Sequence, residues 1–536
     1  MNDFFYPFLA FFLRRLVSPW LTQALWPLAL VGVIFSAGCQ LADNEIRGQI
    51  NDTASTLPPD DPAPPPPACD ATLLNAFGGG DGSSGEPFRV CSLNHWAHFA
   101  ATNSSWDKFI RLESDLDFTS IDYANFHKIG TGGTPFTGHF DGNNKKIRNI
   151  AVDAGSDNVA VFMETGSNAT FQNIFLENIH LTSTGGISTL IRTHKSGGTL
   201  TLNNVHLSAA TFSTKGSGII HESLGPVDIS NVSVTDVSIP IGSLTGGVIG
   251  FLGNSGTFTN IDVINLSRTN IVDIFSNMGG VVGAAGGVAT FNFQFTNINV
   301  TGLSIVGSAN SGVGGILGRF SSSYMASVNI NQAQVSGAIN GMMVGGLVGE
   351  ADVDTINITD SSFNGTLDGG SGTCGGLVGS IYANSGLVTQ SFATGSATVW
   401  SGIGGGLIGG TSISGGLTLS NSYSSSSVNS THASSGVVGG LVGSGGGTGT
   451  IDVINSYFAG TATGNNRLGC VAGVASATLT LSDVYYDSST CDKNTVDSAP
   501  YAGGTGQPTA NMQTATPFPN WNTGVWNFLS GSYPQL

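Results

Sequence analysis

Three carboxylates alternate along one stretch of the chain: Glu350, Asp352 and Asp354. Side chains two apart on a strand share a face, and gathered oxygen ligands are what Ca²⁺ requires. The spacing admits a Ca²⁺ site, with a solvated acidic turn as the competing expectation. The other acids of the same region, Glu164, Glu177, Glu222, Asp228, Asp236, Asp262, Asp273, Asp360, Asp368 and Asp452, are scattered. His95 and His98 stand three apart in SLNHWAHFAATN without a third ligand, and read as surface histidines on a helix that Ser92 would cap. His432 is isolated in a polar loop. No HExxH, GxSxG or Walker A string occurs, so no catalytic, cofactor-binding or metal residue is assigned.

Cysteine chemistry is more legible. Arg14 and Arg15 precede an apolar run from Trp26 to Ala37, and Ser36-Ala37-Gly38 stand before Cys39. A cationic segment, a short apolar core and small residues form a secretory signal. With Cys directly after the small residues, it resembles a bacterial lipobox, so Cys39 is the expected lipidation site. Gln40, in place of a retaining Asp, points by the same resemblance to the outer membrane. In an oxidising compartment, Cys69 with Cys91 and Cys470 with Cys491 bracket short segments and are expected to form two local disulfides. Cys374 is left over as a small buried apolar side chain.

The elements that must position these residues come from a repeat. GGLVG at 345–349 returns at 375–379, 405–409 (GGLIG) and 439–443, with looser copies ending at Gly250, Gly283 and Gly318. Upstream the apolar triplet survives without its glycine at Met163, Arg192 and His221, and downstream at Gly473, giving eleven anchors. After each anchor comes a polar turn, then an alternating strand such as TFTNIDVIN (257–265) or GTIDVINSYF (449–458). A fixed period of about 30 residues means a solenoid. Short alternating strands predict an all-β, right-handed parallel β-helix of about eleven coils with a small N-terminal capping region. In this reading the glycines serve close backbone approach and positive φ at corners. Phe363, Phe392, Tyr423, Tyr457 and Tyr485 recur with the period and predict an aromatic ladder packed inside the solenoid, rather than a sugar platform.

Only 10% of residues are charged and the net charge is −17. Between residues 320 and 466 there is no Lys or Arg. Nucleic acid is thereby excluded as a partner, because phosphates need cations.

The order GGLVG, strand, S-[YF]-x-x-G and the next GG resembles the GLUG-motif repeats of bacterial surface proteins. PFTGHFDGNNKKIRNI (135–150) resembles the segment that introduces such repeats, and DVYYDSST with QPTANMQTATPFPNWNTGVWNF (507–528) the one that closes them. The resemblance covers residues 77–528. It implies a β-helical, surface-exposed, often adhesin-like protein; such repeats also accompany peptidase domains, and no catalytic residue carries over. The expected layout is a lipoprotein-type signal peptide (1–38), a Pro-rich tether (39–68), an N-terminal cap with leading strands (69–152), repeats (153–490) and a closing segment (491–536). The expected function is non-catalytic adhesion or ligand binding by a monomer at the bacterial cell surface. Its partners would be the lipid bilayer, through Cys39, and a glycan or protein ligand. A carbohydrate-active β-helix enzyme, or a purely structural spacer, are the alternatives.

Overall fold

Alternation decides the fold. In the strand Val348–Thr359, Val348, Ala351, Val353, Ile356 and Ile358 are buried, while Asp352, Asp354, Asn357 and Thr359 are partly exposed. Every coil repeats this pattern, so each has one apolar face that only its neighbours can complete. The computed structural model describes residues 68–536 except 120, 215, 241–243, 270–275, 288–289, 309, 323–324 and 498–501. The signal, Cys39 and the tether up to residue 67 lie outside the described residues, as does Asp273. The described chain is a parallel β-solenoid, with a 31-stranded sheet, an 8-stranded sheet and a 2-stranded sheet.

Pairing between coils is parallel and in register. Val348 faces Val378, which faces Ile408, then Val442, then Ala472, all buried. GGLVG supplies the end of a short strand (Met343–Gly345), a corner, and the start of the next strand (Val348–Thr359).

The glycines of the motif act through space alone. None of Gly345, Gly346 and Gly349 has positive φ. A Cβ on Gly345 would lie 1.9 Å from the Val348 carbonyl oxygen, and one on Gly346 would lie 2.1 Å from that of Gly376 on the next coil.

Positive φ is provided at another corner by a different column. Asn144, Asn173, Asn204, Asn231, Asn260, Asn297, Gln332, Asp360, Gln390, Asn421, Asn455 and Asp483 all have φ between 45° and 57°. Asn and Asp tolerate this region because their short polar groups bond locally. Here the amides also bond from coil to coil: Asn204 donates to Asn173 at 2.9 Å, Asn260 to Asn231 at 2.9 Å and Asn297 to Asn260 at 2.7 Å. This column counts twelve coils, one more than the anchors, because Asn144 opens a coil upstream of Met163. Asp141-Gly142-Asn143 belongs to that first corner. It bends a single strand, His139–Asp153, both halves of which pair in parallel with Thr170–Thr182.

The N-terminal end of the core is covered by helix α1 (Leu93–Ala101), capped by Ser92 Oγ, which accepts from the His95 N–H. It lays Trp96 and Phe99 over Phe140 and Phe162. His95 is not on the surface: it is fully buried, with Nδ1 3.3 Å from the Cys91 amide and Nε2 3.1 Å from the Leu73 carbonyl. The same spacing that puts Trp96 and Phe99 on the core turns His95 toward the Cys91 loop. His98 packs edge-on against Phe77 at 4.9 Å.

Candidate binding face

Two side chains per coil point outward just before the positive-φ corner. One column runs in register from Thr170 through Thr201, Asp228, Thr257, Gln294, Asn329, Asn357, Leu387 and Thr418 to Asp452 and Thr480. The second runs beside it from Gln172 through Asn203, Ser230, Thr259, Thr296, Asn331, Thr359 and Thr389 to Ser420, Ile454 and Ser482. None of these side chains is buried. Asp228 and Asp452 are the charges, Leu387 and Ile454 the apolar members; all others are amides or hydroxyls. The columns bond along their length: Asn357 donates to Asn329 and Thr359 to Asn331, both at 2.8 Å, and Ser420 donates to Thr389 at 2.9 Å. Spacings of about 4.8 Å along the axis and ~7 Å across it make a flat grid of donors and acceptors. Such a grid fits a neutral polyhydroxylated chain and offers no cation to an anionic one. The sequence carries the signal only in part: polar residues stand two and four places before Ser422-Tyr423, but Leu387 and Ile454 interrupt the pattern before Ser391-Phe392 and Ser456-Tyr457.

Beyond the corner, a third outward column runs Phe175, His206, Ser233, Asp262, Asn299, Gln334, Ser362, Phe392, Tyr423, Tyr457, Tyr485. Phe392, Tyr423 and Tyr457 stack at 4.8 and 4.9 Å with nearly parallel planes. This ladder is outside the solenoid, contrary to the expectation of an internal one. The closing segment covers it, with Phe518, Trp521, Trp526 and Tyr533 packed on the tyrosines. Phe363 is not a member. It pairs with Ala393 and is buried in the core, one residue out of step.

The acid trio lies within a strand, not in a solvated turn. Glu350 is nearly buried and its Oε2 sits 2.9 Å from Arg319 Nε on the preceding coil. The cation beside Glu350 is thus a guanidinium. Burial pushes the Glu350 carboxyl above its ordinary range, against the pull of Arg319 and with a push from Asp352. Burial likewise raises Asp352, which faces Tyr382 on the following coil. The oxygens of the trio do not converge. Among the described residues the one His, Cys, Asp or Glu trio with ligand atoms within 4.8 Å is Cys69, Cys91 and His95, whose sulfurs are joined in a disulfide. Glu164 meets Lys195 at 2.9 Å, Glu177 meets Lys146 at 2.8 Å and Glu222 meets Arg192 at 3.7 Å.

A pH-dependent result follows for Arg319→Gln. Without the guanidinium, Glu350 must be buried unpaired or protonated. A carboxyl whose folded pKa is raised contributes most stability at low pH and loses it as pH climbs through that pKa. The substitution should therefore destabilise by roughly 1–2 kcal/mol at pH 7 and by less at pH 4. Denaturation midpoints at the two pH values read the difference; an equal loss at both would show that Glu350 is not the responsive group.

Cys69–Cys91 and Cys470–Cys491 are disulfide-bonded, and Cys374 is free and buried, with its thiol pushed up by burial. His432 is not isolated, since its ring meets that of Trp400.

Fold and pairing place the protein in the class of parallel β-solenoids. No family model matches the chain. Over 141 residues, 24% of the chain, it is 29% identical to Halomucin of Haloquadratum walsbyi (strain DSM 16790 / HBSQ001), of which the match spans 2%. Among solved structures it is similar to a protein of Bacteroides ovatus described as a candidate immunoglobulin A1 protease. That likeness has 15% identity, covers 85% of this chain and 94% of the other, and has a TM-score of 0.23.

Proposed function

We propose that this chain is a non-catalytic surface protein of the repeat class that its motifs resemble, and that its solenoid binds a neutral glycan. Cys39 carries the lipid that holds it to the outer membrane, and the Pro-rich tether carries the solenoid clear of the bilayer. The observation that supports glycan binding is the paired column of amides and hydroxyls from Thr170 and Gln172 to Thr480 and Ser482, with its near absence of charge. The test is affinity electrophoresis of the full chain, in detergent, through gels containing dextran, galactomannan, xyloglucan or alginate. Retardation by at least one neutral polysaccharide, and none by alginate, is the expected result. No retardation by any of them would favour a spacer. Release of reducing ends from the gel polysaccharide would overturn the non-catalytic reading. Mass spectrometry of the native mature protein should find a diacylglyceryl group on Cys39; an unmodified Cys39 would remove the anchor.

A further inference from the structure

The polar grid explains how a glycan would lie on the solenoid, but stacking on a sugar ring needs an exposed aromatic. The tyrosines of the third column cannot supply it, because they are under the closing segment, and Phe175 at the column's other end is stacked on His206. One aromatic is placed differently. Trp400 occupies the corner between the strands Phe392–Val399 and Ile403–Gly405 and is 55% exposed, against 46% for Tyr382 and 37% for Phe109. Exposure of one ring is ordinary in itself; what distinguishes Trp400 is the geometry built around it.

The corner is built, not loose. The Trp400 backbone N–H donates to the Gly370 carbonyl on the preceding coil, and the His432 N–H donates to the Trp400 carbonyl at 2.7 Å from the following one. The His432 ring stands perpendicular to the indole, at 85° with centroids 4.8 Å apart. His432 Nδ1 accepts from the Ser434 amide at 3.2 Å, the Ser435 amide at 3.1 Å and lies 2.7 Å from Ser435 Oγ. Backbone amides can only donate, so this network assigns the proton of the neutral ring to Nε2. Among the described residues the hydrogen bonds of the His432 ring all fall on Nδ1, which leaves Nε2–H free to donate to a ligand. On the other side of Trp400 the equivalent corner position is Gly370, which has no side chain to lay over the indole. Asp368, Thr398 and Asn429, in register two residues before this corner, add one carboxylate and two uncharged groups beside it.

We propose that Trp400 and His432 form the aromatic subsite of the solenoid. A pyranose ring of a neutral glycan stacks on the open indole face, and His432 Nε2–H donates to one of its hydroxyls. The coils of Trp400 and His432 carry no Lys or Arg themselves, since none occurs between residues 320 and 466, and the first cation beyond them is Arg467, in register with Val437 on the following coil. The inference rests on the glycan-binding reading and adds to it a stacking subsite one strand beyond the polar grid, at the far end of Phe392–Val399.

The test uses the full chain and whichever of dextran, galactomannan and xyloglucan retards it. Trp400→Ala should weaken retardation roughly tenfold, which is about 1.4 kcal/mol, and His432→Ala several-fold. Trp400→Phe should stay within about threefold of the parent. The polysaccharide should also protect Trp400 from oxidation by N-bromosuccinimide, read by peptide mass spectrometry. Because Trp400 is exposed, its variants should melt with the parent. A Trp400→Ala protein retarded as strongly as the parent, or a Trp400 oxidised equally with and without polysaccharide, overturns the subsite and leaves the glycan reading standing. A parent protein that no neutral polysaccharide retards overturns both.

Discussion

Gly376→Ala is expected to be among the most damaging single substitutions in this protein, lowering stability by roughly 3 kcal/mol or more. The added Cβ would lie 2.0 Å from the Gly406 carbonyl oxygen and 2.4 Å from the Ala393 Cβ. Neither contact can be relieved by a rotamer change. One is backbone on the next coil, and the other is the first atom of a buried side chain. Moving the coils apart would stretch the bonds from Leu377 N to Leu407 O at 2.8 Å and from Val378 N to Leu407 O at 3.1 Å. The same approach recurs at Gly346, Gly406 and Gly440, so the defect cannot be passed to a roomier neighbour. Since a solenoid is held by nearest-neighbour interfaces, hydrogen exchange should quicken first in the coils flanking residue 376. Gly85→Ala is the control, because a Cβ there meets nothing within 4 Å. A Gly376→Ala protein that melts with the parent would show that the coils are less tightly spaced than described.

Trp526→Ala should release the closing segment while the coils persist. Trp526 is fully buried, 4.5 Å from Trp521 and 5.8 Å from Tyr457 between ring centroids. Removing a buried Trp costs about 3–5 kcal/mol. A short segment held by one satellite cluster has few other contacts to share that loss. Among those that remain are the Tyr457 hydroxyl donating to Pro534 O at 2.6 Å and the Tyr533 hydroxyl bonded to Asp487. Limited proteolysis should therefore cut within 508–536, the far-UV β signal should hold, and Tyr423 and Tyr457 should become reactive to iodination. A variant as resistant to protease as the parent would place the segment's docking energy elsewhere.

The register of the aromatic ladder is not fixed by the sequence alone. Aligning the chain on Ser followed by an aromatic puts Phe363 over Phe392, because DSSF at 360–363 contains two serines. Aligning it on the positive-φ residue puts Asp360 over Gln390, and Ser362 over Phe392. A slip of one residue turns a side chain from one face of a strand to the other, so the first alignment exchanges core for surface. Ser361, Ser391, Ser422 and Ser456 confirm the second: each backbone amide from Ser361 to Ser422 donates to the serine hydroxyl of the next coil. The surroundings of His432 are hidden in the sequence for a related reason. Trp400 lies 32 positions earlier in the chain, about one period away, and only stacking makes them neighbours.

By itself the sequence determined the period, the strand alternation, the two local disulfides, the buried Cys374 and the close approach at GGLVG. These are properties of one coil or of a short stretch, and composition and spacing carry them directly. Only the tertiary structure decided which outward columns are open, that the closing segment covers the tyrosines, that Arg319 neutralises Glu350, and that Trp400 stands clear beside His432. Each of these depends on which residues of successive coils share a register. Inter-coil hydrogen bonds set that register through steps that vary in length along this chain, so no fixed offset in the sequence could have named the partners.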